Sequence, residues 1–329
     1  MNMDREIELR IATELMRFFD VINDYKVKDI LTIRDFCNSR QGWFDDLNLV
    51  NTIHICNILC SNGYLVDGGA IDGEAFLGKT FFSRRYNETN DRYGEYEHIA
   101  HGFKFIREKF SNSVIPIFVE KEDGSLDVGS AFFTGNKNTL ITAKHVITNM
   151  KRIAICEGNK FLIHDIFVHI DDKIDIAILL VEQKEIIDLF PFRVANAEVL
   201  DEIMSLGYPP IPSFGNMLIS DISHINCELK SSAGDIVSKG DSYLDRQEYL
   251  LINAKVKGGN SGGPIVDKRG MAVGILTSIP IDSCQAKKLD PLGYGMALPA
   301  KYILNLLDEK FRKKISFKQL PDGEYTTMP

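Results

Sequence analysis

From Val114 to Leu276 the chain is a succession of short apolar runs separated by Gly, Pro, Asp and Asn. The runs cover Val114–Glu120, Gly129–Thr134, Thr139–Thr142, Arg152–Cys156, Phe161–Ile170, Ile176–Val181, Ile203–Gly207, Tyr249–Val256, Gly263–Val266 and Ala272–Leu276. Runs of this length, closed off by turn residues, read as strands. Many short strands at close spacing favour antiparallel barrels, because closure leaves no unpaired edge. The expected fold is therefore mainly β over this stretch, as two antiparallel β-barrels.

Within that pattern lies Gly258-Gly-Asn-Ser-Gly-Gly-Pro264, one hydroxyl in a glycine-crowded turn. Glycine on both sides lets a substrate carbonyl approach Ser261 without a side-chain clash, and it supplies backbone conformations that a Cβ would strain. The amides of Gly259 and Ser261 can then point together at a developing oxyanion. Taken alone, such a cluster also reads as an ordinary tight turn. Two further segments add chemistry. Gly129-Ser-Ala-Phe-Phe-Thr-Gly135 leads through a second apolar strand to His145, with the small residues Thr142 and Ala143 just before it. Between histidine and serine stands Asp171-Asp-Lys-Ile-Asp175, opening a run too apolar to bury a carboxylate without a partner. A serine hydroxyl is a poor nucleophile unless a base lies within hydrogen-bond reach and is held in the right tautomer. Asp171, Asp172 and Asp175 are all open to the orienting role at this point.

His, Asp and Ser in this order, each at the edge of a strand, resemble the trypsin-like (chymotrypsin-fold) serine proteases. The closest resemblance is to the bacterial HtrA-like branch, through "TA-x-HV", "D-[IL]-A-[IL]-L" and "GNSGGP". It covers roughly residues 113 to 307. By that resemblance Ser261 is the nucleophile, His145 the general base and acid, and Asp175 the orienting carboxylate, since Ile-Ala-Ile-Leu follows it directly. Gly259 and Ser261 would supply the oxyanion hole. The substrate pocket would be built from Lys255 to Gly258, Leu276 to Ser278 and Gly293 to Met296, with Lys255, Gly258, Leu276, Ser278 and Gly295 as its named residues. No carboxylate stands six residues before Ser261, so a preference for Arg or Lys is not expected. Lys255 holds that position and either faces inward, favouring an acidic P1, or snorkels outward; a small or medium apolar P1 is the default expectation. Ser205-Leu-Gly-Tyr-Pro-Pro210 resembles the branch's "GYP" turn and reads as a structural corner.

Departures from the secreted relatives carry their own expectations. Val146 follows the histidine where those relatives have cysteine, and no cysteine stands near Ser261. Asn260 precedes the serine where zymogen-type trypsins carry an aspartate that accepts a freed amine, so control is expected from loops or from the N-terminal region. The polar, glycine-containing stretch Ser231–Arg246 is read as a long loop, either a surface excursion or an activation loop.

Residues 1 to about 112 read as a separate, mainly helical domain. Ile7, Ile11, Leu15, Phe18 and Ile22 fall on one face of an amphipathic helix. Further helices are expected over Val27–Asn38, over Asp45–Cys60 with a stop at Ser-Asn-Gly63, and over Glu95–Phe110. Tyr64–Val66 and Ala75–Phe82 flank a glycine-rich loop as a hairpin. Three helices and a hairpin suggest a winged helix, which raises DNA binding. Asp45–Asn62 nevertheless holds no lysine or arginine, and DNA affinity rests largely on cationic contacts to phosphate. The basic pair Arg84-Arg85 reads as solvated, and a protein-binding or regulatory role is the better expectation.

The domains expected are thus 1–112, a protease domain over 113–315 and a mobile tail over 316–329 with no PDZ-like domain following. The 329 residues suffice for a double barrel and a smaller domain. Lys and Arg number 38 against 46 Asp and Glu, a net charge of −8, as in an ordinary soluble protein with no bias toward nucleic acid. The first ten residues alternate charges where a leader would need an apolar core, and no stretch has the length of a membrane span. A cytoplasmic location follows as an expectation. The six cysteines lack the spacing of a disulfide framework or a zinc site; Cys56 and Cys60 read as a reduced pair, and neither metal nor cofactor is expected. The function expected is an intracellular serine endopeptidase acting on protein or peptide substrates, with a regulatory partner at residues 1–112. The alternatives are a non-catalytic binding scaffold on the same fold and a DNA-binding regulator with an attached protease.

Overall fold

The computed structural model describes residues 10–20, 30–40, 46–71, 73–84, 86–156, 160–210, 227–243, 245–277, 293–321 and 323–327. The chain divides into two units, Met1–Ile106 and Arg107–Pro329.

The first unit begins with α1 (Ile11–Phe18), α2 (Ile33–Ser39) and α3 (Asp46–Ser61). Ile11 and Leu15 of the expected apolar face are buried, while Ile7 and Ile22 lie outside the described residues. Helix α2 begins at Ile33 within the expected stretch Val27–Asn38, of which residues 27–29 lie outside the described residues. A capping box fixes the start: the Thr32 hydroxyl accepts from the Asp35 amide, and the Asp35 carboxylate accepts from the Thr32 amide. Helix α3 stops at Gly63, whose φ of 75° lets the Tyr64 N–H return to the Leu59 carbonyl. Strands β1 (Leu65–Ala70) and β2 (Lys79–Ser83) form the expected antiparallel hairpin. Helix α4 (Glu88–Tyr93), unexpected from the sequence, is capped by Asn87. Helix α5 (Glu95–Phe110) is broken at Gly102. Phe19, Phe36, Leu59, Phe81 and Tyr96 are at the centre of this unit's core. Cys56 is buried and Cys60 half-buried, both as free thiols.

In the second unit, strands β3 (Val114–Lys121), β4 (Leu126–Phe133), β5 (Thr139–Thr142), β6 (Met150–Ile155), β7 (Phe161–His169) and β8 (Ala177–Gln183) build an antiparallel sheet. Inward side chains follow period two: Ile115, Ile117 and Val119 on β3, Ala131 and Phe133 on β4, Ala177, Leu179 and Val181 on β8. On β7 the parity changes from Phe161 and Ile163 to Ile166 and Val168. A bulge between Ile163 and Asp165 makes that change, and without it half the strand would turn its apolar face outward. Each inward Val, Leu, Ile or Phe side chain, when fully buried, stabilises the fold by about 1.5–3 kcal/mol.

A second sheet closes as a barrel in the order β10-β11-β14-β13-β12-β9. Its strands are β9 (Glu202–Gly207), β10 (Lys230–Asp241), β11 (Glu248–Ile252), β12 (Pro264–Asp267), β13 (Ala272–Leu276) and β14 (Gly295–Pro299). Strand β10 corrects the expected loop at Ser231–Arg246. Its side chains are mostly polar, with two glycines between them and Ile236 alone buried, so no apolar alternation marks it. Backbone ladders to β9 and β11 hold it instead. Helix α7 (Ala300–Leu307) follows Pro299 and buries Ile303 and Leu306; Phe311 lies beyond its end and stacks on His169.

The expected tail is also corrected. Strand β15 (Arg312–Ile315) pairs with β7, and β16 (Phe317–Gln319) pairs with β17 (Tyr325–Thr327), which joins β6. The sheet thereby reaches nine strands. Tyr325 is fully buried and its hydroxyl accepts from the Ile163 amide at 3.0 Å. Glu324, with 2% of its side chain exposed, pairs with Arg152. The polar composition after Lys314 hides these anchors. Among the described residues, no helix is long and apolar enough to cross a membrane.

Candidate active site

Four residues, Lys144–Ile147, form helix α6 directly after β5. Val146 and Ile147 are buried there and anchor the turn, which leaves His145 at the surface with 41% of its side chain exposed. Asp175 lies between β7 and β8, flanked by buried Ile174 and Ile176. The Ile176 N–H donates to the Ile174 carbonyl at 3.0 Å, a three-residue turn with Asp175 at its centre. Its carboxylate meets His145 twice. Oδ1 accepts from the His145 backbone amide at 2.8 Å, and Oδ2 lies 2.6 Å from Nδ1. One carboxylate thus fixes both the backbone and the ring of the histidine.

Thr277, directly after β13, donates its hydroxyl to the same Oδ2 at 2.5 Å. Burial alone would push the Asp175 carboxyl up. The hydrogen bond and charge of His145, with the Thr277 hydroxyl, outweigh it and hold the group below the usual carboxylate range. The rival carboxylates serve other partners: Asp171 accepts from Lys173 and Gln247, and Asp172 lies by Lys313.

Ser261 follows a tight turn in which the Asn260 amide donates to the Lys257 carbonyl at 3.1 Å. Gly259 carries φ +89° in that turn, as position three of a type II turn requires. Gly262, φ +86°, is confined more severely, because a Cβ there would stand 2.1 Å from the Ser130 carbonyl oxygen. The amide of Gly262 donates to the Leu276 carbonyl and that of Leu276 to the Gly263 carbonyl. Among the described residues, the Gly259 and Ser261 amides donate to no protein acceptor.

His145, Ser261, Gly258, Gly259 and Gly129 line one cavity of about 330 Å³, walled by Val119, Val128, Val146 and Met150. The structure thus brings His145 to Asp175, and His145 and Ser261 to one cleft. Of the expected substrate-pocket residues, Gly258 lines this cavity. Lys255 is exposed, with its amide bonded to the Ser232 hydroxyl. Leu276 corrects its expectation as a pocket wall, since its side chain is fully buried in the barrel core. Gly295 lies on β14, where a Cβ would meet Val256 Cγ2 at 2.5 Å. Ser278 lies outside the described residues. Tyr208 is a corner, as expected: its hydroxyl donates to the Val114 carbonyl. Sequence reasoning missed Thr277 and Ser130; the available signal was a hydroxyl at the end of one apolar run and inside another.

Chemically, a carboxylate-held imidazole, a hydroxyl in the same cleft and two amides with no acceptor among the described residues suit acyl transfer through a tetrahedral intermediate. Neither the scaffold nor the DNA-binding reading gains an observation.

Residues 129–275 match the model of the trypsin-like peptidase domain. A "Probable periplasmic serine endoprotease DegP-like" of Rickettsia prowazekii is 27% identical over 222 residues, 65% of this chain and 39% of that protein. The "Serine endoprotease DegS" of Escherichia coli K12 is 25% identical over 186 residues, 56% of this chain and 48% of that protein. The chain therefore spans less than half the length of these relatives. Among solved structures it is similar to "HtrA-type protease AlgW with tripeptide", 19% identical, with 67% of this chain and 69% of that one covered at a TM-score of 0.46. The periplasmic naming of the relatives from Rickettsia prowazekii and Rickettsia conorii overturns the cytoplasmic expectation. That expectation rested on net charge, residues 1–10, the lack of a membrane-length stretch and the cysteine spacing, none of which fixes a compartment.

Proposed function

From the premise that this chain carries a trypsin-like peptidase domain of the HtrA branch, we propose that it is a serine endopeptidase acting through Ser261, His145 and Asp175. In this reading Ser261 Oγ attacks the scissile carbonyl carbon while its proton passes to His145 Nε2. The amides of Gly259 and Ser261 hold the oxyanion, and His145 returns the proton to the leaving amine. Water, deprotonated by the same imidazole, then hydrolyses the acyl-serine ester. Asp175 keeps the imidazole in the tautomer that presents Nε2 and stabilises the imidazolium. The observation that carries the reading is the twofold hold of Asp175 on His145 beside the cleft that Ser261 lines.

The substrate class is a protein or peptide, with a small or medium apolar P1. Its support is the exposed Lys255 and the apolar contact of Val256 on Gly295. Regulation is assigned to residues 1–112, read as a winged-helix-like module for a protein partner. Element order supports this, as does the lack of any Lys or Arg in α3. Asn260, 6% exposed, offers no carboxylate to a freed N-terminal amine. A fluorophosphonate probe should label the wild-type chain at Ser261, and Ser261→Ala should abolish both labelling and peptide turnover. A chain that takes up no probe while keeping its fold would be a binding scaffold.

A further inference from the structure

The buried hydroxyl of Ser130 touches neither His145 nor the expected substrate path, yet it is tied to the turn that carries the nucleophile. Ser130 sits on β4 and is fully buried. Its Oγ donates to the Gly259 carbonyl at 2.7 Å and accepts from the Tyr208 amide at 2.9 Å. Its own amide donates to the Ser261 carbonyl at 2.8 Å, and its carbonyl accepts from the Thr142 hydroxyl at 2.8 Å. All the polar groups of this residue are thus engaged, and two of them hold carbonyls of Gly259 and Ser261.

Those two residues are the ones whose amides face the oxyanion in the reading above, on which this inference rests. The remaining groups of the turn are held locally or by β13, through Asn260 to Lys257, Gly263 to Asn260 and Gly262 to Leu276. Among the described residues, hydrogen bonds from Ser130 tie both donor residues to the first sheet, whose strand connections carry His145 and Asp175. Its side-chain bond to Gly259 fixes the peptide plane that follows that glycine. A glycine at φ +89° has no side chain to restrain it. Tyr208, after β9, is recruited by the same hydroxyl and packs its ring close to β3.

We infer that Ser130 is a positioning residue for acyl transfer: its hydroxyl and its amide hold the carbonyls of Gly259 and Ser261, the two residues that bear the oxyanion donors, and so keep both residues in register with the first sheet. A donor lost outright costs about 10²–10³ in kcat. A donor merely released from its register should cost less, about ten- to a hundredfold.

The test compares wild type, Ser130→Ala, Ser130→Gly and Ser261→Ala on an apolar-P1 peptide substrate, with active sites counted by phosphonate titration. Per titrated site, kcat should fall about ten- to a hundredfold in both Ser130 variants while KM stays within about threefold. Affinity for a peptide boronate, which mimics the tetrahedral oxyanion, should fall in parallel. A purely structural role would instead lower the number of titratable sites and leave kcat per site unchanged, and that result overturns the inference. So does an unchanged boronate affinity. A wild-type chain with no turnover and no labelling at Ser261 overturns the protease reading and this inference together, whereas an active wild type with unaltered Ser130 variants overturns this inference alone.

Discussion

At the scale of single residues, the Asp175 carboxylate is the most strongly constrained group of the site. It accepts from a backbone amide, an imidazole and a hydroxyl, and these hold it ionised against its own burial. Asp175→Asn would present an amide N–H where an acceptor is needed and would turn the imidazole to its other tautomer. The expected outcome is a loss of about 10⁴ in kcat with little change in KM, read by steady-state kinetics. The same substitution bears on stability. Because the folded-state pKa is depressed, the carboxylate's contribution is present above its unfolded value of about 3.9 and is lost as pH falls through the lower folded value. Urea melts should show wild type more stable than Asp175→Asn at pH 7, with the gap narrowing below about pH 4. His145, Asp175 and Ser261 were legible because each stands beside an apolar run in a recognisable motif. Thr277 was not, since a threonine after a strand looks like any other and only the fold brings it to Asp175.

Elements were legible where side chains announce a face. Strands β3, β5, β7 and β13 match the apolar runs within a residue or two, whereas β10 was hidden because ladder bonds, not apolar alternation, define it. The departure at Val146 finds its explanation at this scale. The side chain lies against Gly129 on β4, where a Cβ would stand 2.4 Å from Val146 Cγ1. Glycine and valine together fill the gap between β4 and α6. Gly129→Ala should cost about 1–3 kcal/mol by overpacking, and adding Val146→Ala should recover part of that loss. Chemical denaturation of the two single variants and the double variant would measure the coupling.

For the molecule as a whole, the sheet that carries His145 and Asp175 is finished by residues read from sequence as a loose tail. Tyr325 fills the same core as Ile117 and Val119, so Tyr325→Ala should destabilise by about 3–5 kcal/mol, in line with other large aromatic truncations, as a thermal melt of the second unit would report. The ladder from β6 to β17 also makes the sheet beside His145 and Asp175 sensitive to damage far from either residue. A cut within residues 317–327 should lower turnover and thermal stability together while leaving every group of the cleft in place.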